Sequence, residues 1–441
     1  MAQPLTVLFM PESAYGPTNN CIGIGDVLRR RGHRVVFAAE SSWNGRLAPL
    51  GFVEDLVDLA APPEPDPNAP PQDAGQFWKD FIRDTAPEFR KPTIEQLSTF
   101  MQPTWQALID GAKYCEPHLR EIIARQQPDV IVEDNVVAFP ALQTAGKPFV
   151  RIVSCQPLEI RGSERTAAEI PPPYSGLPAD DRSQWEAFRE AYDRTHRPTW
   201  EDFDAWCRDQ GTAPLPELEF IHTSARLNLY VYPQVIDYTD RRPLDRTWQR
   251  LDSSVRATDG AFELPAEMAD RPADSGLIYL SLGSLGSADV DLMRRLVAVL
   301  AATPHRYIVS KGPQHAAYDL APNMWGAEFL PQTKIVPQVD LVITHGGNNT
   351  TTEAFHYGKP MIVLPLFWDQ YDNAQRVDET GFGRRLATYD FADDEIRGAI
   401  DDLLGAADLR GRMARIGAEI RAKDGVAKAA EAIEAAGLAG R

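Results

Sequence analysis

Short apolar runs rich in β-branched residues alternate with stretches of helical period along most of the chain. Residues 5–10 (LTVLFM) predict a strand, a helix follows to a break at Gly32, and 34–39 predict a second strand. This βαβ opening marks a parallel α/β domain. Further strands are expected at 130–132, ending at Glu133 and Asp134, and at 149–153. A fresh series starts at 277: a strand at 277–282, a helix from 291 to about 301, then strands at 306–310, 341–344 and 361–365. The last forty residues are Ala-rich and charged at helical period, so a terminal helix or helix pair is expected. The fold class is therefore α/β, with two domains in series. We place the first at 1–250, a linker at 251–276, the second at 277–421 and a terminal helix at 422–441.

Two stretches break the rhythm of the first domain. Residues 61–110 and 157–225 are proline-rich and then aromatic, and predict helical insertions. Trp185, Phe188 and Tyr192 share one helix face. Such rings either pack a core or line an apolar pocket at the end of a sheet. Trp78, Phe81, Phe100 and Trp105 are the candidates for the pocket.

Charge narrows the partners. A net charge of −18 over 441 residues argues against nucleic acid or an anionic membrane, both of which need basic patches. It leaves a phosphate ligand open, since helix-start amides hold phosphate without net positive charge. Cys21, Cys115, Cys155 and Cys207 are widely spaced with no CxxC pair, so neither zinc nor a redox couple is indicated. No signal-like start and no run long enough to span a bilayer is visible, and a cytoplasmic protein is expected. Asp289-Val290-Asp291 has the form of a metal-binding D-x-D, but reads better as a helix cap. Gly23-Ile24-Gly25 lacks the third glycine of a dinucleotide fingerprint. No metal site is expected.

The chemistry concentrates in 342–373. An apolar strand ends at His345, Gly346 and Gly347 make a turn, and Asn348, Asn349 and Thr350 open a helix. Glycines allow close backbone approach, and a helix start offers unpaired N–H groups and the positive dipole end. Together these bind a diphosphate. Glu353 lies one turn in, where a carboxylate can accept ribose hydroxyls. A second strand then leads to Asp369, Gln370 and Asn373, an acid and amides able to hold sugar hydroxyls.

These motifs resemble the donor signature of the family-one UDP-glycosyltransferases, whose GT-B fold has two Rossmann-like domains facing a cleft. Phe329-Leu330-Pro331-Gln332 is similar to the family's W-x-P-Q element, with Phe329 where the family stacks a Trp on the base. The resemblance implies diphosphate contacts from Gly283, Ser284, His345, Gly347, Asn349 and Thr350. It implies ribose and base contacts from Glu353, Gln332 and Phe329, and sugar contacts from Asp369 and Gln370. It covers about 277–385 closely; in the first domain it rests on strand order and Arg31-Gly32-His33. It further implies a terminal helix returning to the first domain. The activity implied is inverting, metal-independent transfer of a hexose, glucose above all, from a UDP-sugar to a hydrophobic natural product, with antibiotic modification as one role. The UDP-sugar is a co-substrate and no cofactor is called for. A monomer or a homodimer is compatible.

The family's general base is a His in a G-H-x-x-P element, and this chain carries Pro17 there. Proline cannot accept a proton. The partner Asp of that His corresponds to Asp134. Asp134 or Glu12 could take the proton directly, the acceptor could need little deprotonation, or the chain could be a sugar-nucleotide-binding relative without the usual transfer.

Overall fold

The computed structural model describes residues 3–61, 84–160, 167–272 and 274–440. The first sheet contains β1 (Thr6–Pro11), β2 (Arg34–Phe37), β3 (Val53–Glu54), β4 (Val130–Asp134), β5 (Phe149–Val153), β6 (Leu227–Tyr230) and β7 (Trp248–Arg250). The second contains β8 (Leu277–Ser281), β9 (Arg306–Ser310), β10 (Met324–Ala327), β11 (Leu341–Thr344), β12 (Met361–Val363) and β13 (Gly383–Arg385). Their orders are β3-β2-β1-β4-β5-β6-β7 and β10-β9-β8-β11-β12-β13, parallel throughout. Parallel strands covered on both faces must be apolar on both faces, and so they appear in sequence as unbroken runs. Val7, Leu8, Phe9 and Met10 are all fully buried.

In each sheet the strand order reverses beside the first strand, between β1 and β4 and between β8 and β11. Open α/β sheets bind ligands beyond the carboxyl ends of the strands at that reversal. The register sets Pro11 opposite Asp134 and Ser281 opposite Thr344. Residues 12 and 134 therefore meet in the first domain, and 283 and 345 in the second.

Helix α1 (Tyr15–Arg30) starts earlier than the prolines and glycine around it suggest. Pro17 is its third residue, where the missing N–H has no intrahelical partner to lose. The first insertion does not stop at 110: α2 runs Gln102–Gln126. The second provides α3, Trp185–Asp209. Trp78 and Phe81 lie outside the described residues.

The stretch between β7 and β8 is more than a tether. Ser254 donates its hydroxyl to the Asn20 carbonyl of α1 (3.4 Å), and a Cβ on Gly23 would sit 3.3 Å from Arg256 Cα. The last helix, α6 (Gly425–Leu438), packs on the first domain. Ala429, Ala430 and Ile433 share a core with Leu5, Val7, Leu28 and Val130. Glu434 of α6 accepts from Arg31 (2.6 Å) and pairs with His33 Nε2 (2.7 Å), while His33 Nδ1 accepts from the Leu5 amide (3.0 Å). His33 is thus a structural residue. Among the described residues no helix is long and apolar enough to cross a membrane.

Ile433 belongs to the first domain's core although it lies at the far end of the chain. Ile433→Ala should cost about 2–4 kcal/mol in urea unfolding. The lost hydrogen-exchange protection should fall on β1 and β4; loss confined to β8–β13 would contradict the packing.

Candidate donor site in the interdomain cleft

At the second domain's strand reversal, β11 leads into α4 (Asn348–Tyr357) through His345, Gly346 and Gly347. Gly346 has φ +85°, which a side chain would resist. Its amide donates to Thr344 Oγ1 (3.2 Å), and its carbonyl accepts from Asn373 Nδ2 (2.9 Å). The Asn of the D-Q-x-x-N pattern therefore braces the turn.

The His345 ring fills a slot between two glycines. A Cβ on Gly283 would stand 2.8 Å from its Cε1, and a Cβ on Gly347 2.5 Å from its Nε2. Gly283 (φ +70°) and Gly347 are thus required by the imidazole as much as by any ligand. Burial pulls the His345 pKa down to about 4, opposed by a hydrogen bond with the Ser281 backbone. The ring is neutral at ordinary pH. Ser284 lies half-buried in the adjacent turn, Gly283–Gly286.

Helix α4 has no side-chain cap at its start, so its first N–H groups face the cleft. A Cβ on Gly16 would come within 3.8 Å of Asn349 Cβ, so the start of α1 confronts the start of α4. Two positive dipole ends converge there, a placement that an anion stabilises. Asn349 is half-buried and its Oδ1 is enclosed without a hydrogen-bond partner. Asn348 serves the interface instead: its Nδ2 donates to the carbonyls of Ser154 (2.7 Å) and Val231 (2.9 Å).

One turn along α4, Glu353 is 1% exposed. Gln332 Nε2 donates to its Oε2 (2.6 Å) and to Thr350 Oγ1 (3.1 Å). Arg256 reaches its Oε1 from the interdomain stretch (3.3 Å) and is itself held by Asp259. Burial raises the Glu353 pKa, and Arg256 is the largest opposing influence. Arg256 was not visible in sequence, because a lone Arg in an irregular segment carries no pattern. Phe329 stands 54% exposed beside this group.

Asp369 opens α5 (Gln370–Glu379). Its Oδ2 accepts from the Gln156 amide of the first domain (2.9 Å), and burial raises its pKa to about 6. Gln370 Oε1 accepts from Leu366 N (3.1 Å) and Phe367 N (3.3 Å), shaping its own loop. Between them and the strand, Trp368 adopts φ +58° and donates its indole N–H to Glu159 Oε1 (3.1 Å). Burial drives Glu159 well above the usual carboxylate range, with Asp369 adding repulsion.

In the first domain, Asp134 is 2% exposed. Its Oδ2 accepts from Ser154 Oγ (2.5 Å) and lies 3.9 Å from Cys21 Sγ. Ser154 Oγ accepts in turn from Asn20 Nδ2 (2.8 Å). One turn beyond Pro17, Asn20 of α1 thus begins an Asn–Ser–Asp chain, with Ser154 after β5 and Asp134 at the end of β4, where the family resemblance implied a His–Asp pair. Burial lifts the Asp134 pKa to about 6 against the pull of the Ser154 hydrogen bond. Glu12 accepts from Ser13 Oγ (2.9 Å) and Ala14 N (3.0 Å), steadying the entry to α1. Burial raises its pKa also.

Phe100 and Trp105, expected to face an apolar ligand, are 1% and 2% exposed. Phe100 packs 5.1 Å from Phe367, and Trp105 packs 4.7 Å from Trp368 and 4.3 Å from Phe220. They form an aromatic core joining the insertion to the donor loop, and leave no ring surface for a ligand. A separate cavity of about 270 Å³ opens nearby, between Phe89 and Arg90 of the insertion and Leu285, Gly286, Asp289 and Leu366. Asp289 caps the helix that follows, accepting from the Leu292 amide (3.0 Å).

Two parallel α/β sheets facing each other across a cleft define the GT-B architecture. Residues 258–413 match the family described as UDP-glucoronosyl and UDP-glucosyl transferase. The chain is 26% identical to the oleandomycin glycosyltransferase of Streptomyces antibioticus, over 98% of this chain and 91% of that protein. The crystal structure of the glycotransferase of kitacinnamycin has the same fold, with a TM-score of 0.69 and 21% identity over 99% of this chain and 100% of that one. So does the glycosyltransferase VinC in complex with DTDP, with a TM-score of 0.63 and 17% identity over 98% and 100%. The match to that family thus lies in the second domain, while over nearly its whole length the chain is similar to bacterial natural-product glycosyltransferases.

Gly347→Ala should act like His345→Ala, since the new methyl displaces the ring. Both should weaken UDP binding about 10- to 100-fold in calorimetry, the range of one hydrogen bond to a charged group. Wild-type affinity in both variants would remove His345 from the donor site.

Proposed function

We propose that the protein is an inverting transferase moving a hexose from a nucleoside diphosphate sugar to a hydroxyl of a hydrophobic small molecule of natural-product type. The observation that carries this is the junction of two helix starts, neither with a side-chain cap, beside the neutral His345 ring. A leaving diphosphate gathers negative charge, and helix-start amides aimed at it stabilise that charge without reorganising. The donor is a UDP-sugar, UDP-glucose first, or its thymidine counterpart; Glu353 accepts from the nucleotide's sugar ring. Asp369 keeps one oxygen for the hexose while Gln156 holds the other.

The acceptor oxygen attacks the anomeric carbon from the face opposite the diphosphate. The new C–O bond forms as the old one breaks, its electron pair leaves with the diphosphate, and the configuration inverts. The acceptor's proton passes to a carboxylate at the first domain's strand reversal, Asp134 or Glu12. A carboxyl with a pKa near 6 is a competent base at neutral pH. The cavity beside Phe89 and Leu285 suits the acceptor's hydrocarbon.

A second reading draws on one observation. Pro17 offers no proton acceptor, and Asp134 is nearly enclosed, with its Oδ2 engaged. The chain would then bind sugar nucleotides without transferring them. Incubation with UDP-glucose and TDP-glucose and a panel of macrolide and phenolic acceptors separates the two by mass spectrometry. UDP binding without product from any acceptor would leave the second reading standing.

Raised carboxyl pKa values fix the sign of the pH dependence. Asp134 and Asp369 are both charged above about 6 and protonated below it. kcat/KM should therefore fall as pH drops through about 6, more steeply than one proton allows. Asp134→Asn should lower kcat about 100-fold or more with little change in donor KM. If it does not, the proton goes to Glu12, and Glu12→Gln should show the loss instead. Filling the cavity by Leu285→Trp should raise acceptor KM about tenfold, near the contribution of a lost apolar contact, and leave UDP affinity alone.

A further inference from the structure

Tyr15 and Phe329 are two of the few large apolar side chains left exposed among the described residues, at 38% and 54%. They belong to different domains, yet their ring centroids lie 6.1 Å apart with planes inclined by 34°. Tyr15 is the first residue of α1, and Phe329 follows β10 beside the Gln332–Glu353–Arg256 group.

We propose that Tyr15 is the second wall of the nucleobase site, so that the donor's base lies stacked between a ring of each domain. The inference rests on the donor reading of the second domain and adds to it a contact from the first.

A planar base needs about 3.5 Å on each side, roughly 7 Å between flanking rings. The present gap falls short of that by about 1 Å, a displacement within reach of domain rocking across a cleft. Tyr15 is held in place for this task. Arg46 Nη1 donates to its hydroxyl (2.7 Å), and Trp43 packs against it at 5.4 Å and 60°. Trp43 is fixed in turn through its indole N–H to the Ser13 carbonyl (3.1 Å). The Tyr15 ring is therefore oriented before a ligand arrives, which lowers the entropy lost on stacking. Because the base would touch both domains, its binding would couple the position of one domain to that of the other.

The test measures binding to the full-length protein by calorimetry, with UDP, TDP and the base-free ribose 5-diphosphate as probes. Tyr15→Ala should raise the Kd for UDP and TDP about 5- to 50-fold, the range of one base–aromatic stack. It should leave ribose 5-diphosphate within about twofold of wild type. Tyr15→Phe, which keeps the ring and loses only the Arg46 bond, should bind UDP nearly as wild type does. Equal losses for UDP and ribose 5-diphosphate would mean that the substitution disturbs the start of α1, and would overturn the stacking role. Unchanged UDP binding in Tyr15→Ala, with a loss in Phe329→Ala and His345→Ala, would overturn it too while leaving the donor site intact. Unchanged binding in all three variants would remove the donor site itself.

Discussion

Carboxylates buried at a domain boundary must find donors, and here the donors lie on the opposite domain. Asp369 takes the Gln156 amide, and Asp372 takes the amides of Tyr174 (2.5 Å) and Gly176 (2.8 Å). Burial still lifts Asp372 to about pKa 8, so these bonds offset the cost of enclosure only in part. Asn348 makes the same kind of crossing in reverse, donating from α4 to Ser154 and Val231. The relative placement of the two sheets depends on this exchange of backbone donors and acceptors. So does every candidate role assigned across the cleft.

Within that frame, space decides as much as charge. The imidazole of His345 fits only because Gly283 and Gly347 lack side chains, and Gly346 turns the chain only because φ +85° is open to it. The same glycines leave amides of the α4 start uncovered. The open helix start and the support of the histidine are therefore one constraint on the sequence, not two. Trp368, held at φ +58° between Trp105 and Glu159, plays the matching part in the loop that carries Asp369 and Gln370. Its strained backbone is kept in place by a fully packed aromatic neighbourhood, and that setting aims Asp369 and Gln370.

Much of the architecture was legible because its causes are local. Parallel strands buried on both faces write themselves as apolar runs, and each run from 5–10 to 361–365 became a strand or most of one. The residues expected to hold the donor come together because 345–373 is one continuous turn–helix–strand–turn, in which spacing fixes direction. One expectation failed for a long-range reason. Phe100 and Trp105 have the composition of a pocket, but their partners Phe367 and Trp368 come from more than 250 residues away and bury them. The start of α1 was hidden by Pro17, since a proline reads as a loop unless the first turn is known to begin before it.

By itself, the sequence determined the two α/β series, the order of their elements and the identity of the residues around His345, because hydrophobic period and turn chemistry act over a few residues. The tertiary structure alone decided that Tyr15 faces Phe329 and that Arg256 reaches Glu353. It also decided that Asp134 is held by Ser154 and Cys21 instead of a histidine. Those meetings join segments with no shared periodicity, and only the closing of one domain on the other brings them within contact distance.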